Sequence, residues 1–396
     1  MEKEKVDRPY LSIIARFSRG LQPLAQQAVP GMKLSTLCKV LLRNRMRVNC
    51  RYLHRLAFLL ILSGFNSYLA RLEDAVDGEN IAAAQLVGPP IFILGYWRSG
   101  TTHLHNLLNC DPALTCPTSY QAMFPHHFVY TQPWGAGIFN AFTPGKRPMD
   151  NVAIYGGTPH EEEMALAALS GVSPYMQALF PATVDGAYAA VEPSKLPPGS
   201  LADWQTNFRL FLKKISFSKD KRIVLKSPPH LGRIPILLNM FPGAKFIHIV
   251  RNPYAVFLSS QKLWRSGFAY TYLQKADPGK INELILSWYT ELYALFERDR
   301  RLIPPGSFTE LRFEDLETSP RKCLERLYME LDLPDFESSW EFAAAYLGKL
   351  GRYKKNRHRL VEADRAMVSR RWACNFARYG YPLIPPLGPG EVVSFS

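Results

Sequence analysis

The stretch Ile91-Phe-Ile-Leu-Gly-Tyr-Trp-Arg-Ser-Gly-Thr-Thr-His-Leu-His-Asn-Leu-Leu108 decides the fold. Four apolar residues, Ile91 to Leu94, run into Gly95, and a loop holding Arg98, Ser99 and Gly100 follows. Thr101 and Thr102 then open a segment with Leu104, Leu107 and Leu108 at helical spacing. Strand, glycine loop and helix start bring backbone N–H groups and the positive end of a helix dipole to one point, which favours an anion. Gly95 and Gly100 keep the spacing of the nucleotide-triphosphatase loop G-x-x-x-x-G-K-[ST], but Thr101 stands where that loop has its Lys. The cation sits earlier, at Arg98. The loop still suits a phosphate, with a different cation geometry; the alternative is an ordinary glycine turn.

Outward from this stretch, other strands lead to the same place. Arg222-Ile-Val-Leu-Lys226 reads as a buried strand with Ser227 and His230 just beyond it. Lys245-Phe-Ile-His-Ile-Val250 reads as another, ending at Arg251-Asn-Pro, and a helix from Tyr254 places Ser259 about two turns further on. In an open α/β sheet, ligands bind at the carboxyl ends of strands. Three strand ends thus carry Arg98, Lys226 and Arg251. A Mg²⁺-dependent nucleotide hydrolase would place a metal-holding Asp at one such end; neither later strand does, and the site reads as cationic and metal-free.

Between these strands, Thr158-Pro-His-Glu-Glu-Glu-Met reads as a helix start with Thr158 as N-cap, Pro159 at the first position and Glu161 completing a capping box. The cluster His160, Glu161, Glu162, Glu163 is also dense in acid–base groups, and a helix start beside a cleft could place one as general base. Thr115 to Tyr155 is rich in Pro, Gly and aromatics (Phe124, Phe128, Tyr130, Trp134, Phe139, Phe142) and reads as irregular, its rings either lining an acceptor pocket or simply packing. Phe308 to Leu316 is expected to be a fourth strand. Helices are expected over Trp204 to Ile215, Ile281 to Arg300 and Pro320 to Leu331. The basic tail with Lys354, Lys355, Arg357, His358 and Arg359 is either a lid over a polyanionic ligand or a solvated face.

With 396 residues, 47% of them hydrophobic, the chain can bury a large core. Residues 1–85 read as a helical N-terminal extension without a catalytic signature, and 86–396 as the α/β domain. A net charge of +14 suits acidic ligands or an anionic surface; the scattered Lys and Arg match no nucleic-acid motif, so no nucleic-acid partner is expected. The six cysteines contain no C-x-x-C pair and read as reduced thiols, and Met1-Glu-Lys-Glu-Lys-Val-Asp has no apolar signal run, so a cytoplasmic location is expected. The apolar run Leu56 to Leu69 is shorter than a bilayer span and reads as a buried helix, or as a peripheral membrane contact supported by Arg51, Arg55 and Arg71.

From Pro89 to Tyr379 the chain resembles the sulfotransferases that use 3′-phosphoadenosine 5′-phosphosulfate (PAPS). The resemblance rests on Gly95-Tyr-Trp-Arg-Ser-Gly-Thr-Thr102, on Arg251-Asn-Pro with Ser259, and on the supporting runs Lys226-Ser-Pro-Pro-His230, Arg312-Phe-Glu-Asp315 and Pro159-His-Glu-Glu-Glu163. It is closest in flavour to the broad bacterial-type group, where Arg precedes Ser-Gly-Thr. It implies an α/β fold, a P-loop-like parallel β-sheet flanked by helices, and sulfuryl transfer to a hydroxyl or amine on a small acceptor. Arg98, Ser99, Gly100, Thr101 and Thr102 would hold the 5′-phosphosulfate, Arg251 and Ser259 the 3′-phosphate, and Lys226 the charge on the bridging oxygen. Cytosolic animal members have a His two residues after the strand-end Lys, where this chain has Pro228. The base is therefore sought among His230, His160, Glu161 and Glu162, with the acidic cluster favoured over His230. The rivals are a kinase using ATP and Mg²⁺, and a non-catalytic nucleotide-binding protein. The acceptor is expected to be apolar or ring-bearing; the oligomeric state is not legible.

Overall fold

The computed structural model describes residues 29–147, 149–150, 152–182, 192, 195–196, 198–350 and 356–395. Its centre is a five-stranded sheet of β1 (Ile91–Leu94), β2 (Leu114–Thr115), β3 (Arg222–Lys226), β4 (Lys245–Val250) and β5 (Phe308–Arg312), in the order β2-β3-β1-β4-β5. Every pairing is parallel. β1 lies between β3 and β4, with Ile93 opposite Lys226 and Leu94 opposite His248. The chain therefore leaves β1 at the point where the strand order reverses, the usual ligand crevice of such sheets.

The strands read as unbroken apolar runs because both faces are covered. Ile91 and Ile93 pack with Leu104, Leu107, Val224, Ile247 and Leu311 on one face. Phe92 and Leu94 point the other way, into the larger cluster with Leu225, Phe246 and Leu231. Val29, Met32, Leu37, Val40, Leu41 and Leu59 belong to that same larger cluster, so the N-terminal helices Leu34–Arg43 and Leu53–Ala83 share the core of the α/β body.

Several local expectations change. The strand expected over Phe308 to Leu316 stops at Arg312, and Phe313–Thr318 is a helix. Thr115 to Tyr155 is about half helical, with helices Ser119–Met123 and Phe128–Phe142. Thr118 caps the first of these in a true capping box with Gln121, and Pro133 is accommodated inside the second. The capping box expected at Thr158 does not form: Thr158 Oγ1 donates to Tyr155 O at 2.8 Å, Ser119 N donates to Thr158 O, and Thr118 bridges to Pro159. The helix begins instead at Glu162. The Leu56 to Leu69 run is helical, within the long Leu53–Ala83 helix, but only half covered: Leu59, Ser63, Asn66 and Leu69 are buried, whereas Leu60, Ile61, Phe65 and Tyr68 are exposed. All six cysteines are free thiols. Lys354 and Lys355 lie outside the described residues; Arg359 and His358 are on a short strand, His358–Leu360, paired with Val393–Phe395.

Candidate active site

The loop after β1 is shaped by two glycines. A Cβ on Gly95 would lie 2.8 Å from Ser99 Oγ and 2.9 Å from Ile249 O, and one on Gly100 would collide with the Phe313 ring. Gly100 also takes φ 94°, a conformation that costs Gly nothing. Ser99 is fully buried and donates to Tyr96 O at 2.6 Å, closing the loop on itself. The loop delivers Thr101 and Thr102 to the start of the Thr101–Leu108 helix, whose first N–H groups have no intrahelical partner. This is a cradle for an anion, and the described donors fit a phosphate.

Arg98 itself takes φ 71°, which turns its side chain out of the loop. Its Nε donates to Ser259 Oγ at 2.9 Å and one terminal nitrogen to Asp150 Oδ2 at 2.7 Å. Arg251, at the end of β4, donates to Arg98 O at 3.1 Å and stacks 4.4 Å over Phe313. Its turn is held by Glu314, which accepts from Asn252 N at 3.0 Å and from Tyr381 OH at 2.8 Å. Arg98, Ser259 and Arg251 therefore meet. Burial and the adjacent Arg98 both disfavour the charged form of Arg251, lowering its pKa; an anion between the two cations would relieve that cost. His358 belongs to the same neighbourhood: burial, Lys262, Arg98 and Arg251 press its pKa down to about 4.

Asp150 was not singled out by sequence. Burial pushes its carboxyl up, but Arg147 and Arg98 outweigh it and hold it at about 2. The Arg98 guanidinium thus already holds a carboxylate, the chemistry a phosphate or sulfate would present.

One strand over, the three consecutive glutamates go three ways. Glu161 pairs with Lys226 Nζ and accepts a hydrogen bond from Tyr175 OH, which in turn accepts from Trp97 Nε1 at 2.9 Å. Glu162 accepts from the backbone N of Lys226 at 3.0 Å and lies 2.6 Å from His230 Nε2. Glu163 takes both Arg233 nitrogens, at 2.5 and 3.0 Å, and Ser173 Oγ at 2.7 Å. Glu162, Glu163 and His230 have no exposure, whereas 16% of the Glu161 side chain is exposed. Burial raises the Glu161 pKa but Lys226 and Tyr175 bring it below the ordinary carboxylate value; burial lowers that of Lys226 against the pull of Glu161. For Glu162, burial is outweighed chiefly by His230 and Ser227, leaving about 2.

His230 is boxed between Phe92 and Phe208, with centroids at 5.3 and 5.9 Å, and does not reach the cleft. His160 is half-buried beside Glu161, its Nδ1 3.4 Å from Glu161 O, and burial above all lowers its pKa to about 4. The cluster of four acid–base groups is thus split: Glu161 and His160 stand at the Lys226 tip, while Glu162 and His230 lie behind β3.

Beyond Tyr175 lies a narrow aromatic crevice of about 10 Å³, lined by Trp97, Tyr175, Leu263, Trp264, Phe268 and Trp288. These are not the rings singled out in the sequence: Phe124 and Phe139 pack against Tyr120, Phe128 packs against Phe211, and Trp134 is exposed. Ser260 and Trp288 line the crevice and each keeps a buried polar atom without a hydrogen-bond partner. Among the described residues no group of three or more His, Cys, Asp or Glu could hold a metal ion.

The family model described as "Sulfotransferase family" matches residues 89–338. The chain belongs to the sulfotransferase family. Over 351 residues it is 35% identical to the omega-hydroxy-beta-dihydromenaquinone-9 sulfotransferase Stf3 of Mycobacterium bovis and to that of Mycobacterium tuberculosis, covering 89% of this chain and 90% of each relative. Sulfotransferase STF9 from Mycobacterium avium superposes with a TM-score of 0.65 at 19% identity, over 82% of this chain and 86% of that one. Sulfotransferase STF1 from Mycobacterium tuberculosis does so at 0.61 and 18%, over 92% and 98%. Those two likenesses show the fold, which is the expected parallel sheet flanked by helices. This sulfotransferase is an enzyme, and the kinase and non-catalytic readings fall away.

Proposed function

We propose that this sulfotransferase takes its sulfuryl group from PAPS, without a metal ion, and passes it to the hydroxyl of an apolar, lipid-like small molecule. The observation that carries the reading is the meeting of Arg98, Ser259 and Arg251 beside the Lys226–Glu161 pair. The loop cradle and Arg98 suit the 5′-phosphosulfate; Arg251 and Ser259 suit the 3′-phosphate. PAPS would supply an activated sulfuryl group on a phosphate leaving group.

Lys226 would stabilise the negative charge that gathers on the bridging oxygen as the sulfuryl group leaves. Such fixed charge, together with in-line positioning, provides most of the acceleration in group transfers of this kind. Glu161 is ionised, partly exposed and held by two donors, so it can accept the hydroxyl proton of the acceptor. Glu162 and His230 brace the end of β3 from behind.

The likeness to enzymes whose names give a dihydromenaquinone acceptor supports an apolar acceptor; the aromatic crevice beside Tyr175, at about 10 Å³, has no room for one as it stands. We place the reaction in the cytoplasm, a reading supported by the six free thiols. The test is incubation with radiolabelled PAPS and a lipid extract in the presence of a metal chelator, followed by mass spectrometry. Labelled sulfate esters of apolar alcohols are expected; label confined to polar metabolites, or a requirement for a divalent ion, would overturn the reading.

A further inference from the structure

The Leu53–Ala83 helix exposes large apolar side chains although part of its buried side is polar. That buried side carries Ser63, Asn66 and Glu73 alongside Leu59, Leu69, Ala70 and Ile81. Its solvent side carries Leu53, Leu60, Ile61, Phe65, Tyr68 and Val76, with Ile61, Phe65 and Tyr68 at steps of four and three residues, and with Ile61 76% and Val76 60% exposed. The polar side is locked. Asn66 Nδ2 donates to Pro30 O at 2.7 Å and Met32 O at 3.1 Å, and its Oδ1 lies 3.1 Å from His127 Nε2. Glu73 pairs with Lys214 at 2.5 Å and accepts from Tyr130 N at 3.0 Å. The helix cannot roll to hide its apolar stripe without breaking these bonds, so the stripe is a fixed outward surface. An apolar stripe of this length on a protein surface marks a site of interaction.

The charge around it says what it meets. Residues 29–72 contain eight Lys and Arg and no Asp or Glu. Arg55 is turned inward onto Ala269 O and Tyr272 O at 2.9 and 3.1 Å, which removes it from the surface role considered from the sequence. Arg43, Arg45, Arg47 and Arg51 remain exposed at the start of the helix, together with Leu42 and Met46. A second copy of the chain would bring another acid-free basic segment to this face, where like charges repel. An anionic lipid surface offers both an apolar layer and a complementary charge.

We propose that this face docks the enzyme on an anionic bilayer, with the Leu53 to Tyr68 part of the helix lying in the interface, Arg43, Arg45, Arg47 and Arg51 on the headgroups, and the acidic end with Asp74, Asp77 and Glu79 directed away from them. By length and mean hydropathy the helix could also cross a membrane. Its ties through Asn66 and Glu73 to the folded body make it lie on the surface instead, because a span would strand those groups in hydrocarbon. The neighbouring Phe128–Phe142 helix, with Trp134 and Ile138 exposed, connects this face through Thr131, Tyr120 and Ser119 to Thr158, two residues before His160. The docking does not depend on which acceptor is used.

The test is flotation of the full-length protein with vesicles of phosphatidylcholine alone and of equal parts phosphatidylcholine and phosphatidylglycerol. The protein is expected to float with the anionic vesicles and to be released by added salt or alkaline carbonate. Two double variants, Ile61→Asp with Phe65→Asp and Arg45→Glu with Arg47→Glu, change exposed side chains only; each is expected to lose about tenfold in vesicle binding. Retained thermal stabilisation by adenosine 3′,5′-bisphosphate shows that each variant is folded. A wild-type protein that stays unbound, or variants that float as well as wild type, would overturn the proposal. Resistance to carbonate would replace it with a spanning helix. A dimer in light scattering that the Ile61→Asp, Phe65→Asp variant makes monomeric, without flotation, would replace it with self-association.

Discussion

Arg98 Nε donates to Ser259 Oγ at 2.9 Å, joining two residues 161 positions apart in the chain. One comes from the loop after β1 and the other from the second turn of the helix after β4, and adjacent parallel strands are what bring them together. With Arg251 donating to the backbone of Arg98, the two halves of the proposed nucleotide site are tied together.

Asp150 holds the Arg98 guanidinium at 2.7 Å, so an anion proposed to bind Arg98 would compete with a built-in carboxylate. Replacing it should free the guanidinium. Asp150→Asn is expected to tighten binding of adenosine 3′,5′-bisphosphate by roughly three- to tenfold, a gain of about 1 kcal/mol, read by calorimetry. Weaker binding would mean that Asp150 aims Arg98 rather than occupying it.

The three glutamates should separate cleanly in kinetics and stability. Glu161→Gln is expected to lower kcat by about 10²- to 10⁴-fold with little change in nucleotide affinity, the range for losing a general base. Tyr175→Phe removes a donor that stabilises the Glu161 carboxylate, so the acid limb of kcat against pH should move upward. If Glu161→Gln retains near-normal kcat, the base lies elsewhere, with His160 next in line.

Glu163 makes a buried bidentate pair with Arg233, which has 1% exposure. Glu163→Ala removes the carboxylate paired with that buried guanidinium and is expected to cost about 3–5 kcal/mol of stability in urea unfolding. A loss under 1 kcal/mol would show that the pair does not support the fold.

Acid should unfold the protein in two stages. His105 and His160 have folded values of about 4, below the ordinary 6.5, because burial disfavours their charge. The unfolded chain therefore binds more protons between these values, and stability present above pH 6.5 is lost as pH falls toward 4. Glu162 and Asp150, both held at about 2, add a second loss as pH falls from the ordinary carboxylate range toward 2. Urea midpoints measured from pH 8 downward check this; a midpoint that stays level or rises between pH 6.5 and 4 would contradict the first stage.

What could be read from sequence was whatever local chemistry repeats along the chain. β1, β3 and β4 were legible because a strand buried on both faces is a short apolar run, and each ends in a loop bearing a cation. The Arg251 to Ser259 spacing was legible because a strand end runs directly into the helix that carries Ser259. The capping box at Thr158 was misread because its residues have stronger distant partners: Ser119 for Thr158, and Lys226 and Tyr175 for Glu161. Asp150, Tyr175 and Phe313 were missed for the same reason, since nothing near them in sequence announces Arg98, Glu161 or Gly100. Glu162 and Glu163 look identical to Glu161 in the sequence, and only the direction each takes off the helix start separates support from chemistry.

The most direct test compares wild type and Arg251→Ala by calorimetry, with adenosine 3′,5′-bisphosphate and with adenosine 5′-phosphate as ligands. A charge-assisted contact of this kind contributes about 1.5–3 kcal/mol. The substitution is therefore expected to weaken the bisphosphate by roughly ten- to a hundredfold and leave the monophosphate nearly unchanged. Equal losses for both nucleotides, or no loss for either, would contradict a 3′-phosphate held between Arg251 and Ser259 at the ends of the sheet.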